Sequence, residues 1–269
     1  NKYVGVLTGT LITGIIHSSS TMTIILIGLL NSHLISLYQA TWIVLGANIG
    51  TTVTGLMIAL DLGQSAIYLC IIGFILMFFK NKITYLGRLL MALGLIFLAM
   101  DAMSLSLAPI QKSTFFMNLF SQLNNPLIAI LAGTLFTAII QSSTASVGVL
   151  QTIYKKGLIS FNMATNVIYG QNIGTCITAF LSSINGNPNA KRLSVIHVLI
   201  NIIGTVVFVV ASYFIPFVSF IENLTSNYSM QIAYMHTFFN LASTILFLPF
   251  DSCLIYLAYK IIPITKGEK

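Results

Sequence analysis

Four long stretches of this chain, all after residue 125, contain no charged residue. Residues 126–154, 157–190, 193–221 and 223–250 lack Asp, Glu, Lys and Arg altogether. A soluble domain carries about a quarter charged residues, whereas this chain has 6% charged and 57% hydrophobic residues. Because backbone polar groups in lipid must be satisfied internally, such stretches cross a membrane as helices. We therefore expect an all-α, polytopic membrane protein.

The chain also contains an internal duplication with an offset of 124 residues. GTLITGIIHSSSTMT at 9–23 aligns with GTLFTAIIQSSTASV at 133–147, and GANIGTTVT at 46–54 aligns with GQNIGTCIT at 170–178. From residue 9 to residue 54, 20 of 46 positions are identical without a gap, and the matches include Ser, Asn, Gly and Thr. Such self-similarity predicts two structural repeats.

We place the repeats at 1–82 and 83–269 within a single transmembrane domain, the second with an extra C-terminal helical segment. A predicted helix at 87–107 leads into the second Ser-rich segment. The offset places the counterpart of this helix before residue 1. We therefore expect the full-length protein to have one more N-terminal helix, which the first repeat lacks here.

Each Ser-rich segment lies between two apolar arms that are too short to span a bilayer alone. The arms cover 4–16 and 20–30 in the first repeat, and 127–140 and 144–154 in the second. At 1.5 Å per residue, an arm of about 13 residues covers roughly two-thirds of a ~30 Å hydrocarbon core. Irregular backbone at that depth must be buried in protein or line a cavity. The pattern predicts two re-entrant helical hairpins.

The segment after each hairpin contains Gly-x-Asn-Ile-Gly-Thr, at 46–51 and 170–175. Because two glycines around an Asn are poor helix material, we expect a broken transmembrane helix at each, an element typical of transporter sites. Four further apolar stretches are predicted spans: 64–79, 86–108, 193–215 and 230–262. Pro249 predicts a kink or split in the last one.

Three predicted spans separate the end of the first hairpin from the end of the second, so the repeats should have inverted topology. Nine basic residues then share one face: Lys2, Lys80, Lys82, Arg88, Lys191, Arg192, Lys260, Lys266 and Lys269. Three share the other: Lys112, Lys155 and Lys156. The positive-inside tendency makes the first face cytoplasmic. We expect a plasma-membrane protein whose first hairpin opens to the cytoplasm and whose second opens to the outside.

Two inverted hairpins would bring two polar tips together near the membrane midplane. Each second arm begins at its motif, so free N–H groups and the positive end of the helix dipole favour an anion there. Side-chain oxygens of Asn48, Thr51, Asn172 and Thr175 suit a hard cation such as Na⁺. No Lys or Arg is expected at this depth, and a bare anion is costly to desolvate. We therefore expect cation-coupled uptake of an oxyanion.

These motifs resemble the type II sodium/phosphate cotransporter family. The resemblance rests on QSSTAS, HSSST, both G-x-NIGT segments and HVLINIIG at 197–204, and covers nearly the whole chain. It implies sodium-driven import of inorganic phosphate held between the tips. By position, it implies these phosphate-binding residues: His17, Ser18, Ser19, Ser20, Gln141, Ser142, Ser143 and Thr144. We add Thr21 to the candidate sodium ligands named above.

His17 is the main departure from the Gln-Ser-Ser-Ser signature of that family, since the second repeat keeps Gln141. A neutral imidazole donates from one nitrogen and accepts at the other, so the role of the amide can survive. Histidine also changes charge near neutral pH. We expect transport to depend more on pH than in relatives with Gln there; a packing role is the alternative. Thr144 replaces the fourth signature residue and keeps a hydroxyl.

The same residues allow alternatives to a phosphate carrier. Sulfate or a carboxylate on the same scaffold remains the alternative, because the residues alone do not single out phosphate. We expect no enzyme, no cofactor besides co-transported Na⁺ and no transition metal, since no catalytic pair or metal cluster is visible. Two closed hairpins argue against a channel. The net charge of +7 belongs to loop ends and does not indicate nucleic acid binding; a homodimer is left open.

Asp101 and Asp251 are weaker candidates for cation binding, because a carboxylate within a membrane is costly unless it has a role. The spacing of the three cysteines fits neither a disulfide framework nor a metal site. We expect all three to be small buried apolar residues: Cys70, Cys176 and Cys253.

Two His-x₃-Asn pairs occur near the C-terminal end, His197 with Asn201 and His236 with Asn240. This spacing puts both side chains on one helix face. We expect polar clamps between packed helices.

Overall fold

Helices account for nearly all regular structure in the computed structural model, which describes residues 1–60, 66–79, 82–107, 113, 114, 118 and 122–264. No strand occurs within those ranges, so the all-α prediction is confirmed. The helices are α1 Lys2–Ile16, α2 Ser19–Asn31, α3 Leu37–Ile58, α4 Ala66–Met77, α5 Lys82–Leu107, α6 Pro126–Ile140, α7 Ser143–Lys155, α8 Phe161–Ser183, α9 Pro188–Ser212, α10 Phe217–Glu222, α11 Tyr228–Phe247 and α12 Asp251–Ile261.

The duplication is visible in the helix boundaries. α1 and α6 begin and end 124 residues apart, and so do α2 and α7. The long helices α3 and α8 also begin 124 residues apart. In each copy a threonine of the first arm lies 3.1 Å from a carbonyl of the long helix, Thr10 from Gly46 O and Thr134 from Gly170 O. The two copies therefore share local structure as well as sequence.

A left-handed residue and a capping serine separate the two arms in each copy. His17 (φ 59°) ends α1, and Gln141 (φ 57°) ends α6. Ser18 and Ser142 follow with extended backbone, and each Oγ accepts the backbone N–H three residues later. Because the first N–H groups of a helix lack intrahelical partners, a capping serine lets the second arm start at once.

The Gly-x-Asn-Ile-Gly-Thr segments do not break their helices, so the predicted discontinuous transmembrane helix is wrong in both copies. α3 and α8 run through them without interruption. The glycines instead allow close contact: a Cβ on Gly46 would lie 1.9 Å from Val6 O, and one on Gly170 2.0 Å from Ile130 O. Small residues let helix backbones approach in membranes, and this packing offsets the cost of about 1 kcal/mol per helical glycine.

Four helical stretches of the described residues are long and apolar enough to cross a membrane: Leu37–Ile58, Lys82–Met103, Pro188–Ser212 and Tyr228–Ile261. The 3₁₀ turn Leu248–Phe250, which contains Pro249, divides the last stretch into α11 and α12. The predicted split is therefore confirmed. α4, predicted as a span, is a shorter apolar helix, as are α1, α2 and α6. The stretches support a polytopic membrane protein.

Two buried apolar clusters hold the helices together. The first is built from α2, α3, α9 and α12, with Leu45 fully buried at α3. The second is built mainly from α7, α8, α10 and α11. α9 joins both, since Ile200 belongs to the first cluster and Phe208 to the second. Helices that follow the duplicated segments thus hold the two long helices in place.

The sequence places Arg192 on the cytoplasmic face as a basic residue at a loop end; in the structure its side chain is only 1% exposed. Its guanidinium donates to Ile262 O and Pro263 O, both at 2.9 Å, and lies 4.1 Å from the ring centre of Tyr259. Arg192 therefore ties the start of α9 to the chain after α12. Four other basic residues used for that assignment lie outside the described ranges: Lys80, Lys112, Lys266 and Lys269.

Candidate functional site

The first Ser-rich break contacts the long helices of both copies. His17 Nδ1 lies 2.8 Å from Oγ1 of Thr54 on α3. Ser20 Oγ lies 3.2 Å from Oγ1 of Thr178 on α8. Thr54 and Thr178 are themselves equivalent at the offset of 124 residues. Two residues of the break at 17–20 are therefore within hydrogen-bond distance of equivalent threonines, one on α3 and one on α8.

The second break lies beside α3 and α5. Ser142 and Thr144 line a cavity of about 350 Å³ whose other walls are apolar, including Ile58 of α3 and Met100 of α5. Farther along α7, Gln151 Nε2 donates to the carbonyl of Gly55 at 3.2 Å. The second arm of each pair therefore packs against the long helix of the other copy.

The predicted phosphate ligands differ in exposure. Ser19 is buried (4% exposed), and Gln141 is exposed. The others are half-buried: His17, Ser18, Ser20, Ser142, Ser143 and Thr144. Within the described residues, no hydrogen bond joins the serines of one break directly to those of the other. The first break instead contacts both long helices, and the second shares a cavity with Ile58 of α3.

Most of the predicted sodium ligands keep oxygen lone pairs available. The hydroxyls of Thr51 and Thr175 donate to the carbonyl four residues earlier on their own helix, and Asn172 Nδ2 does the same. A hydroxyl or amide that donates in this way can still accept at its oxygen. Thr21 differs, because it is exposed and its hydroxyl bonds to Ser18 Oγ at 2.9 Å.

Asn48 has a partner on another helix, since its Oδ1 lies 3.2 Å from His197 Nε2. Within their own helices, the amides of Asn201 and Asn240 donate to the carbonyls of His197 and His236. The first pair also bonds to α8, since Asn201 Nδ2 donates to Cys176 Sγ at 3.3 Å and Cys176 Sγ donates to His197 O at 3.5 Å. Among the described hydrogen bonds, the first pair therefore has interhelical contacts and the second has none.

The two intramembrane carboxylates lie in different surroundings. Asp251 accepts the indole N–H of Trp42 at 2.8 Å and the backbone N–H of Ser252 at 2.7 Å, so it anchors the start of α12 to α3. Asp101 is half-buried in α5. The three cysteines do not share the predicted burial: Cys176 is buried, Cys70 half-buried and Cys253 exposed.

Two contact residues, Thr54 and Thr178, were not among the predicted site residues. They end the aligned segments GANIGTTVT and GQNIGTCIT and are identical in both copies, so the duplication contained a signal for them. The contact of His197 with Asn48 had no such signal, because it depends on how α9 packs against α3.

The chain is similar in sequence to known proteins. The family model described as Na⁺/Pi-cotransporter matches the chain twice, over residues 1–105 and 100–224. The chain belongs to the Na⁺/Pi-cotransporter family. The double match coincides with the internal duplication, and the resemblance drawn from the Ser-rich and Gly-x-Asn-Ile-Gly-Thr motifs is confirmed. A family of transporters is also consistent with the expectation that the protein is not an enzyme.

Three members show how far the similarity extends. The uncharacterized YqeW of Bacillus subtilis (strain 168) is 32% identical over 254 residues, 93% of this chain and 82% of YqeW. YjbB of Escherichia coli (strain K12), provisionally named an inorganic phosphate export protein, is 29% identical over 248 residues, 89% of this chain and 44% of YjbB. Human sodium-dependent phosphate transport protein 2B is 31% identical over 112 residues, 39% of this chain and 16% of that protein. No solved structure matches.

Proposed function

We propose that this protein is a sodium-coupled symporter that imports inorganic phosphate. The observation that carries the proposal is the crosswise contact of the two second arms, which begin at the Ser-rich breaks: α2 bonds to α8 and α7 bonds to α3. In our proposal α1–α2 and α6–α7 are re-entrant hairpins of two inverted repeats in the plasma membrane, the first opening to the cytoplasm and the second to the outside. Phosphate binds between them.

Hydroxyls and helix N-termini at the breaks suit a tetrahedral oxyanion. α2 and α7 both begin at a serine cap, so their first N–H groups and positive dipole ends lie at the break. Ser18 and Ser142 accept backbone N–H groups as caps, and their hydroxyl protons can still be donated. We propose that they donate to phosphate together with the hydroxyls of Ser19, Ser20 and Ser143. We propose that His17, Gln141 and Thr144 complete the phosphate contacts.

Sodium ions would supply the positive charge that the side chains at the breaks lack. The sequence from 3 to 79 contains no Lys or Arg, so α2 and α3 have no Lys or Arg, and the one in α1 is Lys2, at the opposite end of that helix from the break. A buried anion without a partner is strongly disfavoured. We propose that Thr21, Asn48, Thr51, Asn172 and Thr175 ligate the co-transported ions through their oxygens.

The direction of transport is part of the proposal. YjbB bears the name of an export protein, while the human relative is named for sodium-dependent phosphate transport. This chain spans under half the length of YjbB. In a symporter, a sodium gradient directed into the cell drives phosphate in the same direction. If transport is coupled to Na⁺ in this way, the protein imports phosphate.

Radiolabelled phosphate uptake into proteoliposomes tests the proposal. We expect an inward Na⁺ gradient to drive uptake above the level of a choline gradient, and an excess of sulfate to leave it unchanged. Uptake indifferent to Na⁺ would overturn sodium coupling. Competition by sulfate equal to that by phosphate would favour the alternative, a cation-coupled carrier of another oxyanion, and protein-free liposomes provide the background.

A further inference from the structure

The equivalent asparagines of the two copies have different partners. Asn172 donates from Nδ2 to Ile168 O at 2.9 Å, within its own helix, and its amide oxygen remains an acceptor. Asn48 presents its amide oxygen to His197 Nε2 at 3.2 Å. The oxygen that would ligate a cation in the first copy is therefore engaged by an imidazole from α9.

His197 is held firmly in this position. Its side chain is 2% exposed, and its carbonyl accepts from Asn201 Nδ2 at 2.9 Å and from Cys176 Sγ at 3.5 Å. Its Nδ1 has no hydrogen-bond partner among the described residues. Since only a donor can pair with the amide oxygen of Asn48, the ring proton of the neutral imidazole lies on Nε2.

We propose that His197 is a positioning residue that engages the amide oxygen of Asn48 and competes with a cation for it. The Nε2 N–H uses one of the two lone pairs of this oxygen and brings its positive end close to it, so Na⁺ binds Asn48 more weakly while this hydrogen bond is intact. Among the described residues, no hydrogen bond engages the amide oxygen of Asn172. The inference rests on the proposed sodium coupling and predicts that the first copy binds Na⁺ more weakly than the second.

His236 offers a matched control. It has the same His-x₃-Asn spacing, is 4% exposed, and its carbonyl accepts from Asn240 Nδ2 at 2.8 Å. Its Nδ1 lies against α3 beside Gly55, 3.9 Å from where a Cβ would be. Among the described residues its ring bonds to none of the candidate sodium ligands. Loss of either imidazole disturbs packing in a similar way, but only loss of His197 releases Asn48.

The test measures phosphate transport by the full chain in proteoliposomes as a function of Na⁺ concentration. His197→Phe should lower the half-saturating Na⁺ concentration roughly fivefold, the equivalent of one net hydrogen bond, with the phosphate KM at saturating Na⁺ unchanged. His197→Gln keeps an N–H donor and should behave as the parent. His236→Phe should also keep the parental Na⁺ dependence.

An unchanged or raised half-saturating Na⁺ concentration in His197→Phe overturns the proposal, and so does an equal shift in His236→Phe. If His197→Phe does not fold, the half-saturating Na⁺ concentrations of Asn48→Ala and Asn172→Ala test the proposal instead. Asn48→Ala should raise the half-saturating Na⁺ concentration less than Asn172→Ala, and an equal or larger rise contradicts the proposal. Transport by the parent without any Na⁺ dependence overturns sodium coupling itself together with this inference.

Discussion

His17 ends α1 in a left-handed conformation, and its Nδ1 lies 2.8 Å from the Thr54 hydroxyl. Gln141 ends α6 with nearly the same backbone angles. Because a glutamine side chain also offers a donor and an acceptor, we predict that His17→Gln retains phosphate transport. An imidazole changes charge near neutral pH and an amide does not, so the variant should show a flatter pH profile. Transport rates measured at several pH values check this, and an unchanged profile would leave His17 a packing residue.

Ser142 and Ser143 are adjacent but should have separable roles. Ser142 Oγ accepts the N–H of Ala145 and caps α7, so Ser142→Ala should lower the free energy of unfolding by about 1 kcal/mol. Ser143 lies one residue inside the helix and is half-buried. We predict that Ser143→Ala leaves the Tm unchanged and reduces phosphate transport roughly tenfold, through loss of one hydrogen bond to a charged ligand.

Thermal unfolding of the purified variants in detergent, measured beside phosphate uptake, separates these two effects. Normal uptake by Ser143→Ala would remove this hydroxyl from the site. A lower Tm with Ser143→Ala would instead assign it a role in folding.

The elements differ in how far local sequence determines them. The arms of both Ser-rich segments were predicted within a few residues, because a polar run and a capping serine are local signals. The Gly-x-Asn-Ile-Gly-Thr segments were misread as breaks, because propensity describes an isolated helix. Their glycines instead allow close packing against a helix that lies some 40 residues earlier in the chain: α1 packs against α3, and α6 packs against α8.

Two helical glycines provide a direct test of this packing role. A Cβ on Gly170 would lie 2.0 Å from Ile130 O, whereas a Cβ on Gly28 would have no atom within 4 Å. We predict that Gly170→Ala forces α6 and α8 apart and lowers the free energy of unfolding by about 2 kcal/mol or more. Gly28→Ala should stabilise by up to about 1 kcal/mol, because alanine is the better helix former. Equal melting temperatures for the two variants would contradict this account of α6 and α8.

The whole molecule joins two similar copies through contacts that cross between them. The polar residues of the candidate site could be predicted from the sequence, since both breaks and both Gly-x-Asn-Ile-Gly-Thr segments stand out in the alignment of the two copies. The contacts between them, such as Ser20 with Thr178 or Asn48 with His197, could not be predicted. The first pair depends on how α2 packs against α8, and the second on α9, which belongs to both buried clusters.

The proposed opposite orientation of the two copies in the membrane can be tested by labelling from one side. If the repeats are inverted, the chain just after α2 and the end of α7 lie on opposite membrane faces. Leu34 and Lys155 are exposed there. We would replace Cys70, Cys176 and Cys253 by alanine and introduce Leu34→Cys or Lys155→Cys singly. A membrane-impermeant maleimide applied to intact cells should label Lys155→Cys at once, and Leu34→Cys only after the membrane is permeabilised. Labelling of both from outside would mean that the copies are parallel, and the crosswise contacts would then need an explanation other than inverted symmetry.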